Sequence, residues 1–402
     1  MPKRVLIFAV AYLPYIGGAE LAIKEITDRI GDFQFDLITL RFDSSHPKFE
    51  RLGNVNVYRV GFSRPKPAMA DLIKFPLKLN KYFFPFTAYF KARQLHKRNL
   101  YDAIWAVMAA YAGFAALFFK LRNRRVPYLL TLQEGDPIES ILKRVRFISF
   151  LFKKIFAEAN FVQAISHYLA NWARQMNFKG ELAVVPNAVD IKHFSQPYTE
   201  SELAELKSRF GKKQDEKYLI TTSRLVSKNA VDDVIKSLQF LPENIKFLVL
   251  GTGPGEEKLK RLTAELKFEK RVMFLGQVGH KEMPKYLGIS DIFIRPSLSE
   301  GLGNSFLEAM AAGIPVIGTS VGGIPDFLFD PETDHGKLPT GLFCEVRNPQ
   351  SIAKKVKTLL ENNELRQKIV ANAKNLVNEN YDWSLIASKM QTIFDKLIIN
   401  NN

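Results

Sequence analysis

A single cysteine, Cys344, stands in 402 residues, so no intrachain disulfide can form and the chain reads as belonging to a reducing compartment. The thiol itself reads as a small buried hydrophobe. No two aspartates lie two positions apart, and the six histidines show no ligand-like spacing, which leaves a protein-held metal without a ligand set. His167 reads as the start or cap of a helix and His193 as part of a linker. Internal repeats are absent, and the only biased tract is the short asparagine-rich end.

Long apolar runs are scarce as well. Residues 103–119 carry no charge over seventeen positions, the lower limit for a membrane-spanning helix, but seven of those positions are alanine. The stretch divides into a strand at 103–107 and a helix from about Tyr111, as a buried sheet-and-helix pair would. The opening MPKRVLIFAVAYLPYIGG has the basic and apolar character of a signal peptide, yet it continues through Gly17, Gly18 and Glu20 as strand, loop and helix. The cytoplasm is the expected location.

What is present points to two α/β domains. With 47% hydrophobic residues, a chain of this length can bury two sizeable cores. Strand-like runs at 5–10, 35–40, 103–107, 128–132, 218–222, 246–250, 272–275 and 315–317 alternate with helical ones, the pattern of parallel, doubly wound sheets. The polar SQPYTESE at 195–200 and beyond marks the expected junction, giving domains at 1–195 and 196–378 and a last segment, 379–402, whose helix crosses back onto the first domain.

The most informative stretch is PSLSEGLGNSFLEAMAAGIP, residues 296–315, preceded by the apolar run 292–294. It reads as strand, tight loop and helix, the edge at which open α/β sheets hold ligands. If Asn304 or Ser305 caps the helix, the free N–H groups of its first turn suit a phosphate. Gly301 and Gly303 allow a ligand close to the backbone, and Glu308, about one turn in, is placed to accept hydrogen bonds from ribose hydroxyls. Glu300, at the strand end, faces whatever lies beyond the phosphates.

Taken together, the stretch closely resembles the EGxGxxxxE signature of retaining family-4 glycosyltransferases (glycosyl transferases group 1) with the GT-B fold. The resemblance extends along nearly the whole chain. RVLIFAVAYLPYIGGAE is similar to that family's first strand and glycine loop, VVPNAVDIKHF (184–194) to the segment leading into its second domain, TTSRLVSKNAVDDVIKSL to its phosphate-binding strand and helix, and FLVLGTGPGEEKL to the strand and turn after it. The resemblance implies two Rossmann-like domains facing a central cleft, the first holding the acceptor and the second a UDP-, GDP- or ADP-linked sugar, with no cofactor. It further implies hexosyl transfer with retention, in polysaccharide or glycolipid synthesis. GT-B epimerases and phosphorylases, a non-catalytic scaffold and a dehydrogenase are the competing readings.

A diphosphate out of bulk water needs its charge balanced. Without an Asp-x-Asp pair, that task falls to cations and helix N-termini: Arg224, Lys228, the amides after Gly303 and those near Gly17 and Gly18. The family places a lysine five residues after the arginine, where this chain has Asn229, so either Lys228 or Asn229 meets the phosphates. The family's histidine near the sugar is Gln133 here, which can hydrogen-bond but not exchange a proton. Glu134 and Asp136 are the candidates for a general base.

Charge is unevenly distributed. Residues 1–200 hold 29 Lys and Arg against 16 Asp and Glu, which leaves 28 against 25 for the rest. From Arg64 to Arg98, nine basic residues face the single Asp71 amid many aromatics, and LKRVRFISFLFKKIF repeats the mixture. Such basic amphipathic stretches favour an anionic membrane surface, here the inner face of the plasma membrane, and with it a lipid-linked acceptor. Nucleic acid is the rival partner but is not expected, for nothing else resembles a nucleic-acid module. Ordinary solvation of a packed domain is the third account.

Overall fold

The computed structural model describes residues 2–15, 17–67 and 74–399, so Asp71 lies outside the described residues. The chain divides into two compact units, Met1–Asn187 with Trp383–Asn402, and Ala188–Asp382. The junction thus falls ahead of the expected 195–196. SQPYTESE is polar for another reason: Thr199 is the N-cap of the helix Glu200–Arg209 and forms a capping box with Glu202.

The first unit is built on eight strands: β1 (Lys3–Phe8), β2 (Phe33–Leu40), β3 (Phe49–Leu52), β4 (Val55–Val60), β5 (Ala103–Val107), β6 (Tyr128–Leu132), β7 (Phe161–Ala164) and β8 (Glu181–Val184). Their order is β3-β4-β2-β1-β5-β6-β7-β8, parallel throughout except for the edge pair β3 and β4. β5, β6 and β7 are buried at every position, as strands covered on both faces must be. Their few polar side chains satisfy one another across the sheet: Trp105 Nε1 donates to Thr131 Oγ1 at 2.7 Å, and Thr131 Oγ1 donates to Gln163 Oε1 at 2.6 Å.

The helices of this unit include α1 (Gly18–Arg29), α2 (Leu77–His96), α3 (Ala112–Arg122), α4 (Ile138–Arg144) and α5 (Ser149–Ala157). The uncharged stretch 103–119 is β5 and most of α3, and no helix among the described residues is long and apolar enough to cross a membrane. The terminal helix Trp383–Ile399 packs into the first unit through Phe394, whose ring lies 5.7 Å from that of Phe33 and 5.4 Å from that of Trp105.

The second unit carries β9 (Lys217–Thr222), β10 (Ile245–Leu250), β11 (Val272–Gly276), β12 (Ile292–Ile294), β13 (Val316–Gly318) and β14 (Leu342–Phe343). All are parallel, in the order β11-β10-β9-β12-β13-β14. Cys344 is buried beside this sheet with Sγ donating to Gly318 O at 3.2 Å, and burial pushes its thiol up to about 12. Several histidines also have packing partners. His193 Nε2 lies 2.9 Å from His280 O with the two rings stacked, and burial lowers the pKa of His96 beside Tyr101.

Candidate functional site

In the second unit the strand order reverses at β9, which has β10 on one side and β12 on the other. Loops leaving the carboxyl ends of two such strands run in opposite directions and open a crevice, the usual ligand position in doubly wound sheets. Arg224 and Lys228 follow β9, and Glu300 follows β12. The loops are tied together by Leu298 N–H donating to Lys228 O at 2.6 Å. Around them, Thr221, Ser223, Arg295 and Ser297 each keep a buried polar atom with no hydrogen-bond partner. Buried polar groups are nearly always satisfied, so this group at one sheet edge makes it the candidate position for a polar ligand.

Arg224 is exposed and its guanidinium makes no hydrogen bond or ion pair among the described residues. Asn229 is buried, and its Nδ2 donates to Arg224 O at 2.6 Å. Its amide therefore shapes the loop instead of extending toward a ligand, against the alternative of a phosphate contact through Asn229. Lys228 is half-buried in the same turn.

The motif loop and its helix, Asn304–Ala312, differ in one respect from the sequence expectation. The N-cap is Gly303, at φ 106°, and not Asn304 or Ser305. Asn304 is already helical, while the Ser305 hydroxyl accepts from Arg295 Nη1 at 2.7 Å. A glycine suits a cap in this left-handed conformation, and with no side chain capping the helix the amides of Asn304 and Ser305 stay open to an anion, while that of Phe306 donates to Gly303 O at 2.9 Å.

Arg295 stands outside the sequence motif, yet it organises the loop. It is buried, pairs through Nη2 with Glu300 Oε2, and lies 5.0 Å over the Phe306 ring. The signal for it in the sequence is an arginine directly after a fully buried strand, where a charge is costly unless paired. Glu300 is held further by the Gly301 N–H at 3.2 Å, and its carbonyl accepts from Gly323 N at 3.1 Å. At Gly322, with φ 56°, a Cβ would fall 1.9 Å from that carbonyl, so only glycine permits the approach.

Glu308 sits one turn into the helix, half-buried, with no hydrogen bond or ion pair among the described residues. Although some of its surface meets solvent, dense surroundings push its carboxyl up to about 7, and the charge of Arg295 offsets this only in part. A carboxylate so placed lacks hydrogen-bond donors.

In the first unit the order reverses between β1 and β5. Gly17 is the N-cap of α1 and Gly18 its first residue. The Glu20 carboxylate lies against the N–H groups of Gly17 and of Glu20 itself; burial raises its carboxyl and those contacts lower it, with a net rise. The glycine-loop amides expected to meet a phosphate thus already face a carboxylate. After β6, Gln133 is buried with Oε1 accepting from Asn187 Nδ2 at 3.2 Å. Glu134 is buried too, one oxygen accepting from Ala109 N at 2.6 Å and the other from Gln133 N at 3.0 Å. Burial still pushes its carboxyl up to about 7. Asp136 is exposed and paired with Arg144 at 2.8 Å.

A cavity of about 680 Å³ lies elsewhere in the second unit, near β14. Its buried charges already have partners, Lys355 pairing with buried Asp330 at 3.2 Å and with exposed Glu332 at 2.8 Å, so it lacks the open valences found at the β9 and β12 ends. Among the described residues no group of three or more His, Cys, Asp or Glu is placed to hold a metal ion.

Comparison with known proteins identifies the family to which this fold belongs. A family model described as "Glycosyl transferases group 1" matches residues 204–376, and one described as "Glycosyl transferase 4-like domain" matches residues 17–188. The chain is 26% identical over 425 residues to an uncharacterized glycosyltransferase of Methanocaldococcus jannaschii, covering 98% of this chain and 99% of that protein. It is 22% identical over 417 residues to the alpha-monoglucosyldiacylglycerol synthase of Acholeplasma laidlawii, covering 99% and 98%. Among solved structures, Anabaena Alr3699/HepE in complex with UDP-glucose superposes with a TM-score of 0.76 at 20% identity, over 98% of this chain and 99% of that one, a likeness of fold. With one matching model on each doubly wound unit, the chain belongs to the glycosyl transferases group 1, family 4, of the GT-B fold, and is a glycosyltransferase that uses a nucleotide-sugar donor.

Proposed function

We propose that the protein moves a hexose from a nucleotide-diphosphate sugar, UDP-linked in the first instance, to an acceptor hydroxyl with retention at the anomeric carbon. One observation carries the assignment of the donor site. Where the loops after β9 and β12 diverge, a cation and a carboxylate without partners among the described residues, at Arg224 and Glu308, share one sheet edge with a helix N-terminus that no side chain caps, at Gly303. These are the complements of a diphosphate and of a ribose diol. The HepE complex with UDP-glucose supports a UDP-sugar.

In the reaction the bond between the anomeric carbon and the β-phosphate oxygen breaks, and its electron pair leaves on the nucleoside diphosphate. Arg224, Lys228 and the amides after Gly303 stabilise that charge in place, without requiring a metal ion. Glu308 binds the ribose. Glu300, fixed by Arg295, hydrogen-bonds the sugar. The acceptor oxygen bonds the anomeric carbon, and its proton passes to the departing phosphate oxygen. Both oxygens of Glu134 already accept backbone N–H groups, so that residue positions the loops after β5 and β6 instead of acting as the base.

The acceptor is a hydroxyl of a glycan or of a lipid-linked molecule. The relative from A. laidlawii, named for a glucosylated diacylglycerol, supports the latter. A thermal-shift panel of UDP, GDP and ADP sugars, followed by proton NMR of the product formed in the presence of a chelator, tests the proposal. Stabilisation by one nucleotide class and an axial anomeric substituent retained from an axial donor are expected. No binding of any sugar nucleotide, or an inverted product, would overturn it.

A further inference from the structure

The first unit leaves a set of large apolar side chains largely exposed on its outside. α2 buries Phe84, Ala88 and Ala92 against the unit, while Tyr82, Phe83, Phe86 and Phe90 are exposed on its outer side. A second group lies at the turn between α4 and α5, where Phe147 is 86% exposed and Phe150 74%, with Ile148 beside them. An isolated exposed aromatic is unremarkable, but two clusters on the helices flanking α3 are not.

The two clusters belong to one layer. α3 runs between α2 and α5, meeting α2 through the rings of Phe86 and Phe118 at 5.5 Å, and α5 through those of Phe114 and Phe152 at 6.0 Å. At one end, Tyr82 of α2 lies 5.9 Å from Tyr111, whose hydroxyl also feels the charge of Arg144 at the end of α4. A surface touching α2 and the α4–α5 turn therefore meets a single side of the unit.

The charge around these rings is mainly positive, the exposed Glu139 of α4 and the Asp136 paired with Arg144 being the acidic exceptions. Lys78 and Arg93 are exposed on α2, and Lys143, Arg146 and Lys153 around the α4–α5 turn, with the Arg146 guanidinium 4.4 Å over the Phe147 ring. Rings that enter an interface and cations that stay at its rim are what an anionic lipid surface accepts. A second copy of the chain would bring two positive faces together. Single-stranded nucleic acid is gripped by grooves lined with stacking rings, whereas this side is formed by outward helix faces.

We infer that the α2 and α4–α5 face of the first unit docks on an anionic membrane, with Phe147 and Phe150 entering the headgroup region and the flanking lysines and arginines pairing with lipid phosphates. The inference deepens the reading above by naming the surface on which a lipid-linked acceptor is met. Docking needs no sugar transfer, so the two are read separately.

The test is co-sedimentation of the full chain with vesicles of phosphatidylcholine alone and of phosphatidylcholine with phosphatidylglycerol, at low and molar salt. The variants are Phe147→Ser with Phe150→Ser, and Lys143→Glu with Arg146→Glu. Binding is expected to anionic vesicles only and to weaken in molar salt, where the screening length falls to about 3 Å. Each paired variant should lower it roughly tenfold. Release of UDP from UDP-glucose in vesicle-free solution should be unchanged in both variants, which also reports that they fold. Equal binding to both vesicle types, absence of binding, or binding indifferent to the four substitutions overturns the inference. So does self-association or oligonucleotide binding that the same substitutions abolish while vesicles are ignored. If vesicles bind but no sugar nucleotide is turned over, the transfer reading fails and this one stands.

Discussion

Arg295 and Glu300 form a buried ion pair across five residues of the motif loop, and the same guanidinium holds the Ser305 hydroxyl through its other terminal nitrogen. One planar cation thereby sets both the acidic residue of the motif loop and the first turn of the helix. The cation serves geometry and charge at once, since it is also what partly offsets the raised carboxyl of Glu308.

Replacing Arg295 should therefore damage turnover more than binding. Lysine cannot reach both partners in fixed directions, so Arg295→Lys should lower kcat for UDP-glucose by roughly tenfold and Arg295→Met by about a hundredfold, with smaller changes in KM. Steady-state kinetics of the two variants, with Ser305→Ala as the milder partner, check this. Equal kcat for all three would remove Arg295 from the account.

Glu308 should trade stability for binding. Its carboxyl is raised in the folded protein, so folding favours the protonated form. The cost of ionising it is absent below about pH 4.5, grows between there and about 7, and is complete above. After allowance for its solvent contact, the cost is on the order of 1–2 kcal/mol. Without nucleotide, Glu308→Gln should be more stable than the parent by that amount at pH 8 and no more stable near pH 4, by urea unfolding. The same variant should bind UDP more weakly.

Two neighbours after β9 should separate cleanly. Arg224→Ala removes an exposed cation that is unbonded among the described residues, so UDP affinity should fall about tenfold or more with unfolding unchanged. Asn229→Ala strips the bond to Arg224 O, which should cost about 1–2 kcal/mol of stability and loosen the turn. Calorimetric titration together with thermal unfolding distinguishes the two.

The terminal helix should be integral to the first unit. Phe394 is fully buried against Phe33, Phe35 and Trp105, so Phe394→Ala should destabilise by about 3–5 kcal/mol. Equilibrium unfolding reads the loss directly, and a change below about 1 kcal/mol would contradict the packing described.

Features that depend on local chemistry are legible without the fold. Two sheets, the strand–loop–helix at 296–315 and the separation of Glu300 from Glu308 all follow from short-range patterns. Features that depend on which side chain reaches which are not. The role of Arg295 exists only once the loop curls back on itself. Ser305 looks like a helix cap until that arginine claims its hydroxyl. Asn229 looks like a displaced phosphate ligand until its amide turns to Arg224 O. β7 and β8, four residues each, are too short to show a period, and Gln163 interrupts the apolar run of β7. The aromatics of α2 are all visible in sequence, but only packing separates buried Phe84 from exposed Phe83.

The central claim is that Glu308 holds the nucleotide and Glu300 the sugar on one edge of the second unit's sheet. Its most direct measurement is UDP affinity and UDP-glucose turnover of Glu308→Ala and Glu300→Ala, side by side with the parent. The account predicts that Glu308→Ala weakens UDP binding about tenfold or more, and that Glu300→Ala slows turnover roughly a hundredfold with little loss of affinity. Parental affinity and parental turnover in both variants would contradict it.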